Sequence, residues 1–332
     1  MTHITVLGAG AWGTAFGQVL ADAGNDVMMW AREPEIVEAI NNEQRNPVRL
    51  PVVEKLPENM RATGNREEAV RDADIVVVAI AAQFARMALE EFKPFIPSNA
   101  LVVSLMKGIE RSSDKRMDEV VTEALDLPMN RFVAVSGPNL SKEVAQRMPA
   151  AAVAASVNRE AAEKVAQAAT NDYFKIFVTD DVVGIEMCGS LKNVTALAVG
   201  MARGAGYGEN TAAMIETRGL AELTALGEAL GANPRTFFGL AGVGDLIATC
   251  GSPLSRNFTF GSNLGRGMSV EEATAASNGV AEGVPTTAAV VALGEQLGVP
   301  TPLACAMNNV LEHGISCADM LGQLFADGAL EE

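Results

Sequence analysis

The sequence predicts two halves of different texture: an α/β half wound on a parallel sheet over residues 1–182, followed by an all-α half over residues 183–332. Three observations carry that expectation. The chain has 332 residues, beyond the roughly 100 to 200 usual for one domain. In the first half, short runs that are apolar on both faces, such as residues 74–80 (DIVVVAI) and 101–105 (LVVSL), alternate with helical spacing, as expected when helices cover both sides of a parallel sheet. After Asp180 the runs stop and only helical spacing remains.

The elements follow in order. Residues 4–7 form an apolar strand ended by Gly8-Ala9-Gly10, and residues 11–23 carry the spacing of a buried helix. A strand over 26–30 and a helix over 34–42 come next. Strands over 74–80 and 101–105 are each followed by a helix, over 84–92 and 115–125. Strands over 132–136, 150–156 and 173–178 complete a doubly wound half of about 180 residues. In the second half helical spacing covers 183–201, 211–230, 263–265, 284–297 and 302–313. Glycine-rich breaks at 200–208 (GMARGAGYG) and 239–244 (GLAGVG) interrupt it, and such loops mark tight turns or close backbone approach.

Charge excludes some classes of partner. Asp and Glu number 41 against 25 Lys and Arg, a net charge of -16, which opposes the counterion release that drives nucleic-acid binding. A phosphorylated ligand must then be held by a few local cations and helix N-termini. Cys188, Cys250, Cys305 and Cys317 form no CxxC pair, and His3 and His313 are the only histidines, so no metal site is expected. The cysteines read as buried, reduced thiols. The N-terminus runs straight into a strand without a basic leader, and no apolar segment of about 18 or more residues is expected anywhere, so a cytoplasmic protein without membrane insertion is expected.

Gly8-Ala9-Gly10-Ala11-Trp12-Gly13 is a GxGxxG between a strand and a helix, the context that makes this otherwise weak motif informative. Gly8 allows the tight turn, Gly10 lets backbone approach a pyrophosphate, and Gly13 lets helix and strand pack closely. The first half is therefore expected to be a Rossmann-type dinucleotide-binding domain, although FAD and S-adenosylmethionine use the same turn. Arg32 ends the second strand where readers of NAD often place a carboxylate. It favours NADP, with NAD still accommodated, and Glu33 beside it opposes an added phosphate. Arg49 is a second candidate phosphate contact; both arginines could instead be solvated surface residues.

A nicotinamide cofactor supplies hydride, and the protein must add a proton donor and a substrate anchor. Three segments offer them. Lys107 directly follows an apolar strand, at the carboxyl edge where ligands bind in such sheets. Lys192 sits in an apolar, small-residue helix, where it either snorkels to the surface or serves chemistry. Asp245 follows the glycine loop 239–244, as a helix N-cap or as an acid. Ser255-Arg256-Asn257 then has the composition of an oxyanion grip, with Arg256 able to hold a phosphate bidentately.

The segments GAGAWGTA, SLMKGIE, VSGPNLSKEVA, LKNVTALAVGMA, NTAAMIETRGLAEL, GLAGVGDLIATC, SPLSRNFTFG and VAEGV, in that order across residues 4–313, resemble the NAD(P)-dependent glycerol-3-phosphate dehydrogenases of the bacterial type. The resemblance implies reversible reduction of dihydroxyacetone phosphate to sn-glycerol 3-phosphate, supplying glycerophospholipid synthesis, by a homodimer. It makes Lys192 the proton donor, with Lys107 and Asp245 around the same oxygen and Asn193 and Thr249 beside them. Ser255, Arg256, Asn257, Gly137 and Asn139 would bind substrate. Gly8, Gly10, Ala11, Trp12, Gly13, Arg32, Arg49, Ser141, Val280 and Glu282 would contact the cofactor, with Lys107 and Arg256 near both ligands.

The chain departs from the family pattern at Ala81-Ala82, where Pro-Ser is common, and at Asn139-Leu140-Ser141, where Ser-Phe-Ala is common. Ala11 replaces a frequent Ser. None of these removes a proposed catalytic group. Two rivals remain. A 6-phosphogluconate-like hydroxy acid dehydrogenase would not need GDLIATC and SRN, and a non-catalytic NADP sensor would not need both Lys107 and Lys192.

Overall fold

The computed structural model describes residues 2–277 and 281–326. The chain divides into two compact units, residues 1–107 with 116–186 and residues 108–115 with 187–332. The first is built on eight strands: β1 (His3–Leu7), β2 (Asp26–Trp30), β3 (Met60–Thr63), β4 (Ile75–Val78), β5 (Leu101–Ser104), β8 (Phe132–Ser136), β9 (Ala150–Ala155) and β10 (Phe174–Thr179). Two short strands, β6 (Ile109–Glu110) and β7 (Lys115–Arg116), form a separate ribbon where helical spacing had been expected to begin at residue 115.

The sheet order is β10-β9-β8-β5-β4-β1-β2-β3. Strands β3 to β8 pair in parallel, whereas β9 runs antiparallel to β8 and β10 parallel to β9. The connection from β8 to β9 holds only the five-residue helix Ser141–Ala145, and the parallel return to β10 uses the longer helix Arg159–Ala169. In register, Leu7 lies opposite Trp30 and Val78, and Val78 opposite Ser104. Gly8, Ala31 and Leu105 therefore all leave the sheet at one carboxyl edge. Ile4, Val6, Val27, Met29, Val77, Val103 and Val133 fill the core with Phe16 and Phe174, whose rings meet edge-on at 6.1 Å.

Among the described residues the second unit is helical beyond its β segment. Helix Val182–Gly204 starts at the end of the first unit and continues through the second. Against the expectation of no long apolar segment, it has an 18-residue window of mean hydropathy 1.3, but 94% of that window is buried within the protein. Packing, not a bilayer, accounts for its composition.

Helix Arg256–Gly265 crosses it at very short range. A Cβ on Gly200 or Gly204 would come 2.1 Å from the carbonyl oxygens of Phe258 or Ser262, and one on Gly261 or Gly265 would come 2.0 Å from those of Leu197 or Met201. Glycines four apart on both helices let the backbones touch. The same two helix faces carry Asn193 and Asn257 one to two turns further along. Cys188, Cys250 and Cys317 are buried; Cys305 is exposed, against expectation.

Candidate active site

In the first unit the glycine turn is closed by backbone hydrogen bonds from Gly8 N–H to Trp30 O (3.0 Å) and from Thr14 N–H to Gly10 O (2.9 Å). The three glycines answer to different demands. Gly8 has φ +111 and lies against the Ala79 carbonyl, and a Cβ on Gly13 would fall 2.1 Å from Gly8 O. Both are fixed by the fold. Gly10 has φ -70 and ψ 177, which any residue adopts, and a Cβ there would meet nothing within 4 Å. The protein makes no demand for glycine at residue 10, whereas a pyrophosphate lying over the turn does. The turn, which opens the twelve-residue helix Ala11–Asp22, thus fits a dinucleotide.

Trp12 meets Phe16 with ring centroids 5.6 Å apart and the ring planes tilted by 52°. After β2, Arg32 Nη2 lies 3.3 Å and Arg49 Nη2 lies 3.6 Å from Glu33 Oε1. The fold brings together the two arginines singled out from the sequence, around one carboxylate; Arg32 is 83% exposed. On the same unit Lys107 Nζ donates to Gly137 O (3.3 Å), Asn139 Nδ2 donates to Ala151 O (3.0 Å), and Ser141 begins a short helix.

In the second unit Lys192 does not snorkel. Its side chain is 7% exposed, and Nζ donates to Asp245 Oδ1 and to Thr249 Oγ1, each at 2.6 Å. Thr249 Oγ1 in turn lies 3.2 Å from Asp245 Oδ1. Asp245 is not the N-cap: Gly244 is, and Asp245 is the first residue of helix Asp245–Cys250, directly after a π-helical turn over Leu240–Gly244. Within that helix Asp245 and Thr249 stand four residues, one α-helical turn, apart and share the face that meets Lys192. Burial pushes the neighbouring Cys250 thiol far up, which keeps it protonated and inert.

A second cluster ties the crossing helices. Asn257 Nδ2 donates to Asn193 Oδ1 (2.8 Å), and Asn257 Oδ1 accepts from Gly283 N–H (2.9 Å). The Asn257 side chain is thereby directed inward, towards the start of helix Gly283–Leu297 that follows Glu282. Ser255 caps helix Arg256–Gly265 by accepting from Phe258 N–H (3.3 Å), and Arg256 at its first position is exposed. Val280 lies outside the described residues.

Two further residues support these sites without a sequence signature. Ser190 Oγ accepts from Gly108 N–H (3.0 Å), directly after Lys107, and Asn46 braces the glycine turn from beneath. Neither has a motif around it; both partners are distant in sequence.

A pyrophosphate turn heading a doubly wound sheet, joined to a helical unit with a buried lysine–carboxylate pair, is the equipment of a two-domain nicotinamide-dependent dehydrogenase. Models of the N-terminal and C-terminal parts of NAD-dependent glycerol-3-phosphate dehydrogenase match residues 3–162 and 181–322. A glycerol-3-phosphate dehydrogenase [NAD(P)+] of Bifidobacterium longum subsp. infantis is 76% identical over 97% of both chains, and one of Streptomyces avermitilis is 47% identical over 98% of this chain and 97% of its own. The crystal structure of glycerol-3-phosphate dehydrogenase from Coxiella burnetii superposes with a TM-score of 0.91 at 30% identity, covering 98% of each chain. The chain belongs to the NAD-dependent glycerol-3-phosphate dehydrogenase family.

Proposed function

We infer that this protein catalyses the reversible reduction of dihydroxyacetone phosphate to sn-glycerol 3-phosphate with NADH or NADPH. Family membership over nearly the whole chain supports the reaction. The observation that carries the mechanism is the buried Lys192–Asp245–Thr249 cluster, with its two contacts of 2.6 Å.

The nicotinamide, when bound, supplies or accepts the hydride. Lys192 is the proton donor to the carbonyl oxygen, and in the reverse direction the acceptor from the C2 hydroxyl. Asp245 holds the ammonium in place and balances its charge inside the protein, and Thr249 fixes its direction. Asn193 and Asn257 keep helices Val182–Gly204 and Arg256–Gly265 in register, so that Lys192 and Arg256 keep their positions. Arg256, exposed at a capped helix N-terminus, binds the substrate phosphate, aided by the N–H groups of that first turn. Ser255 sets that terminus. Lys107 is a second cation for substrate and cofactor, and its hydrogen bond to Gly137 O orders both.

Gly8, Gly10 and Gly13 with Ala11 and Trp12 form the pyrophosphate cradle, and Asn139, Ser141 and Glu282 belong to the wider ligand surroundings. NADPH is the expected better cofactor, since Arg32 and Arg49, both beside Glu33, would hold the 2'-phosphate of an NADP adenine ribose. A homodimer in the cytoplasm, making sn-glycerol 3-phosphate for glycerophospholipids, completes the reading. Oxidation of sn-glycerol 3-phosphate but not of its sn-1 enantiomer, followed by NADP+ reduction, tests it; equal rates with both enantiomers would contradict it.

A further inference from the structure

Asn46 lies in the loop after helix Pro34–Glu43 and is 1% exposed. Its Nδ2 donates to Ala9 O and to Thr14 Oγ1, each at 2.9 Å, while its Oδ1 accepts from Arg49 N–H at 3.2 Å. One buried amide thus spends both donors on the glycine turn and its acceptor on the loop that carries Arg49.

We propose that Asn46 is a positioning residue for the cofactor: it sets the direction of the Gly10 N–H donor and holds the Arg49 loop beside the adenine ribose. The proposal rests on the dinucleotide reading of the glycine turn given above. The peptide joining Ala9 to Gly10 is trans and planar, so the Gly10 N–H points opposite to the Ala9 carbonyl. Asn46 draws that carbonyl into the interior and so turns the Gly10 N–H outward, at the N-terminus of helix Ala11–Asp22 where a phosphate gains most from it. Thr14 is held twice, by its hydroxyl to Asn46 and by its own N–H to Gly10 O, so the turn cannot rotate without breaking both.

The other half of the side chain acts on charge placement. Arg49 N–H on Asn46 Oδ1, with Leu50 N–H on Asn46 O (2.8 Å), folds residues 46–50 into a closed turn. That turn presents the Arg49 guanidinium towards Glu33, the carboxylate that also faces Arg32. Without Asn46 the Ala9 carbonyl and Thr14 hydroxyl, both buried, lose their donor, and the peptide plane is no longer fixed.

The test is direct titration of NADPH and NADH, by quenching of protein fluorescence, into wild type, Asn46→Ala and Asn46→Asp. Asn46→Ala is expected to weaken both cofactors by roughly 3- to 10-fold and NADPH by about 3-fold more, with kcat at saturating cofactor within about 2-fold of wild type. Asn46→Asp keeps the acceptor for Arg49 N–H and loses both donors to the turn, so it should show the common loss but keep the wild-type NADPH to NADH ratio. That ratio, taken on one preparation, does not depend on the fraction of protein folded. Unchanged affinity for both cofactors in Asn46→Ala, or a fall in kcat without a change in cofactor affinity, would overturn the proposal. An Asn46→Asp ratio shifted as far as that of Asn46→Ala would overturn its Arg49 half. Wild-type protein that binds neither dinucleotide would overturn the reading beneath it instead.

Discussion

Lys192→Met keeps the length of the side chain and removes its charge and its donors. In the wild type, Nζ sits 2.6 Å from Asp245 Oδ1, with the two side chains 7% and 3% exposed. Removing one partner of a buried ion pair costs about 3–5 kcal/mol, because the other charge stays in the interior. Lys192→Met should lower the unfolding free energy by about that amount and kcat by about 10²- to 10⁴-fold, the usual worth of a positioned acid. Adding Asp245→Leu removes the stranded carboxylate as well, and exchange of a whole buried pair for apolar groups is often close to neutral. The double variant should therefore recover most of the lost stability and none of the lost turnover. Urea titration followed by circular dichroism reads the first quantity, and loss of nicotinamide absorbance with saturating dihydroxyacetone phosphate reads the second. Lys192→Met retaining more than about a tenth of wild-type kcat would refute its role as the acid. A double variant as unstable as the single one would refute the charge argument.

Gly10→Ala should leave the melting temperature unchanged while weakening cofactor binding, since its Cβ meets only open space, whereas Gly13→Ala, pressed 2.1 Å from Gly8 O, should destabilise by about 1–3 kcal/mol; calorimetry with and without NADPH separates them. Arg32→Ala should weaken NADPH by about tenfold and NADH hardly at all, as Arg49 remains near Glu33; equal losses in titrations would contradict the assignment. Arg256→Ala should cut kcat/KM for dihydroxyacetone phosphate steeply and leave the rate with dihydroxyacetone almost unchanged. Burial and the neighbouring Asp118 hold the Glu186 carboxyl well above its ordinary 4.5, against the pull of Arg116. The folded state keeps a proton that the unfolded chain releases, so this contribution to stability is full below about pH 4.5 and is lost as pH rises through the raised value. Glu186→Gln should thus be more stable than wild type at neutral pH, with a flatter pH dependence in urea titrations.

Much of the fold was legible because it is written locally. β4 and β5 are apolar on both faces, and the glycine turn directly follows β1, so the central sheet and its cofactor edge could be read residue by residue. β3 (MRAT) could not: it is a four-residue edge strand with an exposed arginine, and its pairing with β2 is its main support. Helix Asp245–Cys250 was hidden because the glycines before it suggest a loop, whereas they form a π-helical turn. Lys192 and Asp245 were each visible as candidates, but their contact spans 53 residues and depends on helix packing that periodicity does not encode. Asn46 gave no signal at all, since its three partners belong to two separate segments.

The central claim is the identity of the substrate, and steady-state oxidation of NADPH and NADH by the purified protein with a panel of carbonyl compounds tests it most directly. Dihydroxyacetone phosphate should be turned over with either cofactor, NADPH the better, while dihydroxyacetone, hydroxypyruvate and ketopantoate should give little rate. Faster turnover of hydroxypyruvate or ketopantoate than of dihydroxyacetone phosphate, or no turnover of any of the four by protein that binds NADPH, would contradict it.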